Sequence, residues 1–261
     1  MSIVILQYNR TKRIIQILAL LVVIVIVYLF VFIRFYANTA NENNWFNNHF
    51  RTSLAKHDFW RSVFNLHRDG DGQAAYLAKN KLAVVIYTTE DNQISAEVKN
   101  NLEKEIKNIL PNLLEVKYYD GQQLNLDKAS YMRKDVRDFV AELSKKKAQT
   151  DTALLNVFIL NRSEEYPGNI GLTNTDNGVV IFWETIKDLT AENPSTFETY
   201  VSSTILHEFG HQLGLNHLDD PSCIMSSSVE NPGTNTVGNY WPVTSYCQQE
   251  KALITVKLKV E

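Results

Sequence analysis

The chain has 261 residues, 44% hydrophobic and 21% charged, with a formal net charge of −3. Such a composition excludes a disordered chain or a fibre and allows one globular domain or two small ones. The balance lacks the basic surplus of a nucleic-acid binder, so no nucleic-acid partner is expected, and no internal repeat or heptad run is present.

Residues 14–33 carry no charge and one clearly polar side chain, Gln16. Twenty residues of helix span about 30 Å, the thickness of a bilayer's hydrocarbon, whereas soluble helices of that length keep a polar face. A single transmembrane helix is therefore expected. Arg10, Lys12 and Arg13 precede it and only Arg34 follows closely, which puts residues 1–13 in the cytoplasm and the remainder outside. A cleaved signal peptide is the competing reading. Its apolar core would exceed the usual range of about 7–15 residues, and the best cleavage position, after Ala40, has Asn38 where a small residue is preferred. The expectation is a single-pass protein of the cell membrane with an uncleaved signal anchor; cleavage would release a secreted form.

Residues 34–80 read as a juxtamembrane linker or short pro-segment. They begin with a run rich in asparagine (Asn38, Asn41, Asn43, Asn44, Asn47, Asn48). Residues 45–66 then mix aromatic with basic side chains, which suits a helix resting near the membrane, a helix packed on the following domain, or a pro-segment. Asp69-Gly70-Asp71-Gly72 has Gln73 and Ala74 where a calcium loop needs an oxygen ligand and a glycine, and so reads as a turn.

Residues 81–261 have the pattern of a mixed α+β domain. Buried strands are expected at 82–89 and 153–160, further strands at 114–119 and 179–183, and a shorter, more polar edge strand at 169–175. Helical periodicity covers 95–110, ended by Pro111, and 130–147, whose final lysines suit the negative end of the helix dipole. A further helix should begin near Thr196, with Ser195 and Glu198 as a capping box.

That helix carries His207-Glu208-Phe209-Gly210-His211. Side chains four residues apart lie one turn above each other, so His207 and His211 can face one metal ion. Glu208 is rotated by about 100° and can lie beside the metal without binding it, the place for a base acting on a metal-bound water. The stretch continues as Gln-Leu-Gly-Leu-Asn-His, ending at His217. Gly214 can adopt the left-handed conformation that ends a helix, and His217 can then swing back as a third ligand. Three imidazoles and one open position make a catalytic zinc arrangement, whereas a structural site would need a fourth protein ligand.

His207 to His217 matches the H-E-x-x-H-x-x-G-x-x-H signature, and Cys223-Ile224-Met225 resembles the Met-turn, of the metzincin zinc metallopeptidases. The resemblance implies a metzincin-like five-stranded mixed sheet, an active-site helix and a small C-terminal subdomain with Met225 beneath the ligands. It implies one catalytic zinc ion, a peptide or protein substrate, and a metalloendopeptidase with Glu208 as general base. Alternatives are a non-catalytic zinc-binding ectodomain and a zinc hydrolase of non-peptide substrates. The His217-to-Met225 spacing is similar to that of archaemetzincins, which have a cysteine directly after the third histidine and a second zinc site of four cysteines. Here Leu218 stands in that position and the chain has two cysteines, so no second zinc site is expected. Reprolysin-like peptidases also carry Cys-Ile-Met, usually after an aspartate at that position, and the subfamily stays unassigned. With no cysteine upstream of the motif, a cysteine-switch pro-segment is excluded.

Outside the cell, Cys223 and Cys247 can form a disulfide; the alternative is two free thiols. The bridge would close a loop worth roughly 3 kcal/mol and pin the Met-turn to a C-terminal helix. The substrate is expected along edge strand 169–175, with residues 226–241, including Pro232, Tyr240 and Trp241, walling the side-chain pocket. Tyr240 or Tyr246 is a candidate to assist the zinc site.

Overall fold

The structure, a computed structural model, describes residues 2–39, 44–68, 70–88, 92–121, 128–143, 151–173, 175–227 and 242–260. The chain divides into two compact units, Met1–Leu66 and His67–Glu261.

In the first unit, α1 (Ser2–Ala37) contains the stretch Lys12–Ala37, long and apolar enough to cross a membrane. Its apolar side chains from Ile14 to Leu29 lie exposed. A π-helical turn (Asn47–Arg51), α2 (Thr52–Ala55) and α3 (Asp58–Phe64) follow, and α3 ends on Asn65 in the left-handed conformation.

The second unit is built on a five-stranded sheet in the order β2-β1-β3-β5-β4. It begins with α4 (Gln73–Ala78), whose Tyr76 and Leu77 enter the core, so residues 67–80 fold with this unit. The strands are β1 (Lys81–Tyr87), β2 (Glu115–Asp120), β3 (Thr152–Leu160), β4 (Gly171–Thr173) and β5 (Gly178–Phe182). The first three and β5 run parallel, while β4 pairs antiparallel with β5 and forms one edge.

Side chains alternate along these strands and so serve two cores. Leu82, Val84, Leu155, Val157, Val179 and Ile181 face the larger one, shared with α5 (Ala96–Ile109) and α8 (Phe197–Gln212). Tyr87, Phe158, Val180 and Phe182 face the smaller one, where Val136 and Phe139 of α6 (Arg133–Leu143) pack. Helix α5 starts where its cap dictates, the Ser95 hydroxyl accepting from the N–H of Val98 at 3.2 Å. The lysine-rich end expected at 145–147 and the pocket segment 228–241 lie outside the described residues.

Two local expectations differ from what forms. The strand expected at 179–183 ends at Phe182, because Trp183 opens a helix that was not expected, α7 (Trp183–Leu189), which buries Trp183 and Ile186. The capping box does not form either. The chain enters α8 through a 3-10 turn (Pro194–Thr196), and the Ser195 hydroxyl donates to Asn193 Oδ1 at 2.6 Å. Proline at the first position of that turn sets the entry angle instead. The chain closes with α9 (Gln248–Val260).

Candidate active site

Helix α8 is buried around nearly its whole circumference between the sheet, α5 and α7. Its polar side chains therefore need partners inside the fold. Asn101 Nδ2 donates to Ser202 Oγ at 2.6 Å, and the Thr204 hydroxyl donates to the carbonyl of Tyr200 at 2.7 Å. At the far end Gln212 Nε2 donates to the carbonyls of Thr175 at 2.6 Å and Gly178 at 3.2 Å, tying the helix to the β4–β5 turn.

The helix ends as its glycine predicts. Gly214 has φ +70°, its N–H donates to the carbonyl of His211 at 2.8 Å, and the N–H of Leu215 donates to that of Gly210 at 2.9 Å. These two bonds are a Schellman motif, and the left-handed residue turns the chain back. His217 thereby comes beside the helix. The ring centroids of His207, His211 and His217 lie 4.9–5.3 Å apart, and one ring nitrogen from each falls within a 4.8 Å set.

Hydrogen bonds at the back of two rings define their tautomers. His207 Nδ1 lies 2.7 Å from the carbonyl of Ile224, and His211 Nδ1 lies 3.0 Å from the carbonyl of Leu215. A carbonyl only accepts, so each Nδ1 carries a proton, which leaves Nε2 as the nitrogen able to bind a metal. His211 Nε2 points at His217 Nε2 across 3.2 Å. Imidazoles converging on one point, two of them oriented by backbone carbonyls behind them, suit a zinc ion. His207 is fully buried, His211 partly so and His217 exposed, so the cluster opens to solvent on one side.

Glu208 is buried next to this cluster. The Thr173 hydroxyl, from edge strand β4, donates to Glu208 Oε2 at 2.6 Å and lies 3.1 Å from the carbonyl oxygen of the same residue. Gly171, two residues earlier, makes the room: a Cβ there would stand 2.5 Å from Thr204 Cγ2 and 2.6 Å from Glu208 Oε1. Strand β4 thus approaches the helix closely enough for its side chain to hold the carboxylate.

Met225 is fully buried under the helix, and a Cβ on Gly210 would run into its sulfur. The turn bearing it is fixed on both sides. The N–H of Leu218 donates to the Met225 carbonyl at 2.8 Å, and the N–H of Met225 donates to Glu250 Oε1 at 2.6 Å. Glu250 Oε2 accepts from the N–H of Cys247 at 2.6 Å, and Cys223 and Cys247 are joined by a disulfide with Cα atoms 5.0 Å apart. Helix α9 and the Met-turn are therefore held by one carboxylate and one covalent bridge. Tyr246 is buried too, and its hydroxyl donates to the carbonyl of Leu206 at 2.6 Å, which makes it a strut for α8. Burial, and then the charges of Glu250 and Glu105, hold its phenol well above its ordinary pKa.

The residues anticipated from the motif thus come together. Thr173, Gly171, Gln212 and Glu250 were not anticipated, because each acts through a partner distant in sequence. Gly210 did leave a signal: a glycine inside a helix costs about 1 kcal/mol relative to alanine, which points to a close approach. Tyr240, Trp241 and Pro232 lie outside the described residues.

A mixed sheet, a buried helix with two of three clustered histidines and a methionine turn beneath them together define a metzincin-like zinc metallopeptidase. The profile of peptidase family M54 matches residues 75–247, two thirds of the chain, and the chain belongs to that family. Among solved structures, an archaemetzincin from Methanopyrus kandleri is similar in fold, with 15% identity over 70% of this chain and 97% of that one and a TM-score of 0.52. A zinc-dependent peptidase from Methanocorpusculum labreanum aligns over 66% of this chain and 99% of that one, with 12% identity and a TM-score of 0.46. Metalloproteinase-II from Bacteroides fragilis aligns over 70% of this chain and 54% of that one, with 13% identity and a TM-score of 0.42. A search of curated proteins finds no match.

Proposed function

We propose that this zinc metallopeptidase is a membrane-anchored endopeptidase in which His207, His211 and His217 hold one zinc ion and Glu208 is the general base. The observation that carries the reading is the convergence of three imidazole nitrogens within 4.8 Å beside a buried, threonine-held carboxylate. When bound, zinc polarises a carbonyl oxygen and lowers the pKa of a coordinated water.

The remaining work falls to the chain. The carbonyls of Ile224 and Leu215 keep the His207 and His211 rings aimed at one point. Thr173 fixes Glu208 Oε2 and so orients the carboxylate assigned to proton transfer. Glu208 takes the proton of the attacking water and returns it to the departing amine. A peptide lying along the outer side of β4 adds to the sheet as a further strand, and Thr173 then links the substrate-bearing strand to the base.

Residues 1–13 are assigned to the cytoplasm, 14–33 to the span, 34–66 to a juxtamembrane segment and the unit from His67 to the catalytic domain. Two observations support an extracellular catalytic domain: the basic flank before the span and the Cys223–Cys247 disulfide, a bond that persists in oxidising compartments. The test measures metal content and cleavage of a mixed peptide library by the purified protein before and after chelation. Cleavage lost with zinc and regained on its return supports the reading, and cleavage unaffected by complete zinc removal refutes it.

A further inference from the structure

The aromatic and basic segment after the span folds onto the end of α1. The Phe64 ring lies 5.7 Å from that of Phe30, inside the apolar stretch, and Trp60 stacks on Phe64 at 5.6 Å with planes 15° apart. Ala37, Phe46, Ala55, Phe64 and Leu66 form a small core, against which Ile33, Leu54 and Val63 pack.

The last carbonyls of α1, which no helical N–H can reach, receive side-chain donors from this region. Asn38 Nδ2 donates to the carbonyl of Arg34 at 2.8 Å, Asn44 Nδ2 to that of Tyr36 at 2.9 Å, and the Arg51 guanidinium to that of Ala37. The segment is fastened in the other direction as well, with Asn38 Nδ2 donating to the carbonyl of Phe64 at 2.9 Å. Residues 44–66 therefore wrap the point where the apolar helix ends.

On the outside of this wrap stand Trp45 and Phe59, each about two thirds exposed (67% and 66%), with Phe50 and Trp60 also exposed. Trp45 meets Phe50 edge-on at 5.1 Å, and Phe59 meets Trp60 at 4.8 Å. Four exposed aromatic rings on a short polar segment are unusual for a surface facing only water. Their place is particular, since Trp60 contacts Phe64 and Phe50 contacts Phe46, and both of those partners pack in the small core at the end of α1. Indole rings favour the boundary between headgroups and acyl chains, where one edge is apolar and the other wet. Lys56 and Arg61, both half-buried, belong to the same segment.

We propose that residues 44–66 form an aromatic collar seated in the headgroup–acyl boundary of a phospholipid bilayer, on the side of the membrane that carries the catalytic unit. The collar sets the depth at which α1 ends. This inference rests on the anchor reading above and concerns a surface that the chemistry does not use.

The test uses the full chain reconstituted into phospholipid vesicles and tryptophan fluorescence with lipids brominated either near the headgroup or near the bilayer centre. Trp183 and Trp241 supply a background, and the variant Trp45→Phe/Trp60→Phe isolates the collar. Retained peptide cleavage by that variant confirms its fold. The expected result is loss of emission with the shallow bromines, little loss with the deep ones, and disappearance of the shallow effect in the variant. Equal quenching of wild type and variant in chains that float with the vesicles overturns the collar while leaving the anchor intact, and is the outcome if these rings dock on protein. Stronger quenching by the deep bromines overturns the boundary placement. Chains that fail to float overturn the anchor and the collar together.

Discussion

Replacing Thr173 with valine keeps the branched shape of the side chain and removes only the hydroxyl that donates to Glu208 Oε2 at 2.6 Å. The carboxylate is buried, so water is a poor substitute for the lost donor. A hydrogen bond to a charged group contributes about 1.5–3 kcal/mol, which corresponds to a fall in kcat of roughly 10- to 150-fold if the bond orients the base in the transition state. The backbone of β4 is untouched, so KM should move much less than kcat. Zinc content should stay at the wild-type level, since His207 and His211 are held by contacts that do not involve Thr173. The assay is steady-state cleavage of one fluorogenic peptide, with metal content measured on the same samples. Thr173→Ser restores the hydroxyl and should recover most of the rate. An unchanged kcat in the valine variant, or a loss that serine does not rescue, refutes the positioning role.

Gly210→Ala should lower Tm despite a helix-propensity gain of about 1 kcal/mol, because a methyl group pressed into Met225 costs about 1–3 kcal/mol of overpacking. The same variant should bind zinc more weakly in a chelator competition, since the displaced turn carries the Ile224 carbonyl behind His207. Reducing the Cys223–Cys247 bridge reopens a loop of sequence separation 24 and should remove roughly 3 kcal/mol of unfolding free energy, while Cys223→Ser/Cys247→Ser should show no response to reductant. The Tyr246 phenol is raised in the folded state, so its contribution to stability is complete below the ordinary tyrosine value near 10 and declines as pH rises above it. Between that value and the raised one the slope from this group is about 1.4 kcal/mol per pH unit, and denaturant melts of Tyr246→Phe should be flatter with pH in the alkaline range.

The parts of this fold readable from sequence are those encoded locally. Strands β1, β3 and β5 announce themselves as apolar runs rich in β-branched residues, and β4 as a shorter, more polar one that lies at the sheet edge. The histidine cluster is legible because three of the chain's six histidines fall in one eleven-residue stretch, and Gly214 marks where that stretch must turn. The start of α7 was hidden because Gly178 to Trp183 is one uninterrupted apolar run, with no breaker where strand becomes helix. Ser195 and Glu198 have the spacing of a capping box, but Pro194 opens a 3-10 turn and the local geometry changes. Thr173 and Glu250 carry no local mark of their roles. The first is 35 residues from Glu208 and the second 25 from Met225, and only the tertiary fold makes them neighbours.

The most direct test of the account pairs the wild-type protein with Glu208→Gln and measures bound zinc and peptide cleavage in both. The substitution keeps the shape of the side chain and removes its ability to accept the proton. One zinc ion per chain in each protein, with cleavage by wild type alone, is the predicted result. Cleavage by the glutamine variant at the wild-type rate, or a folded wild type that takes up no zinc, would contradict the account.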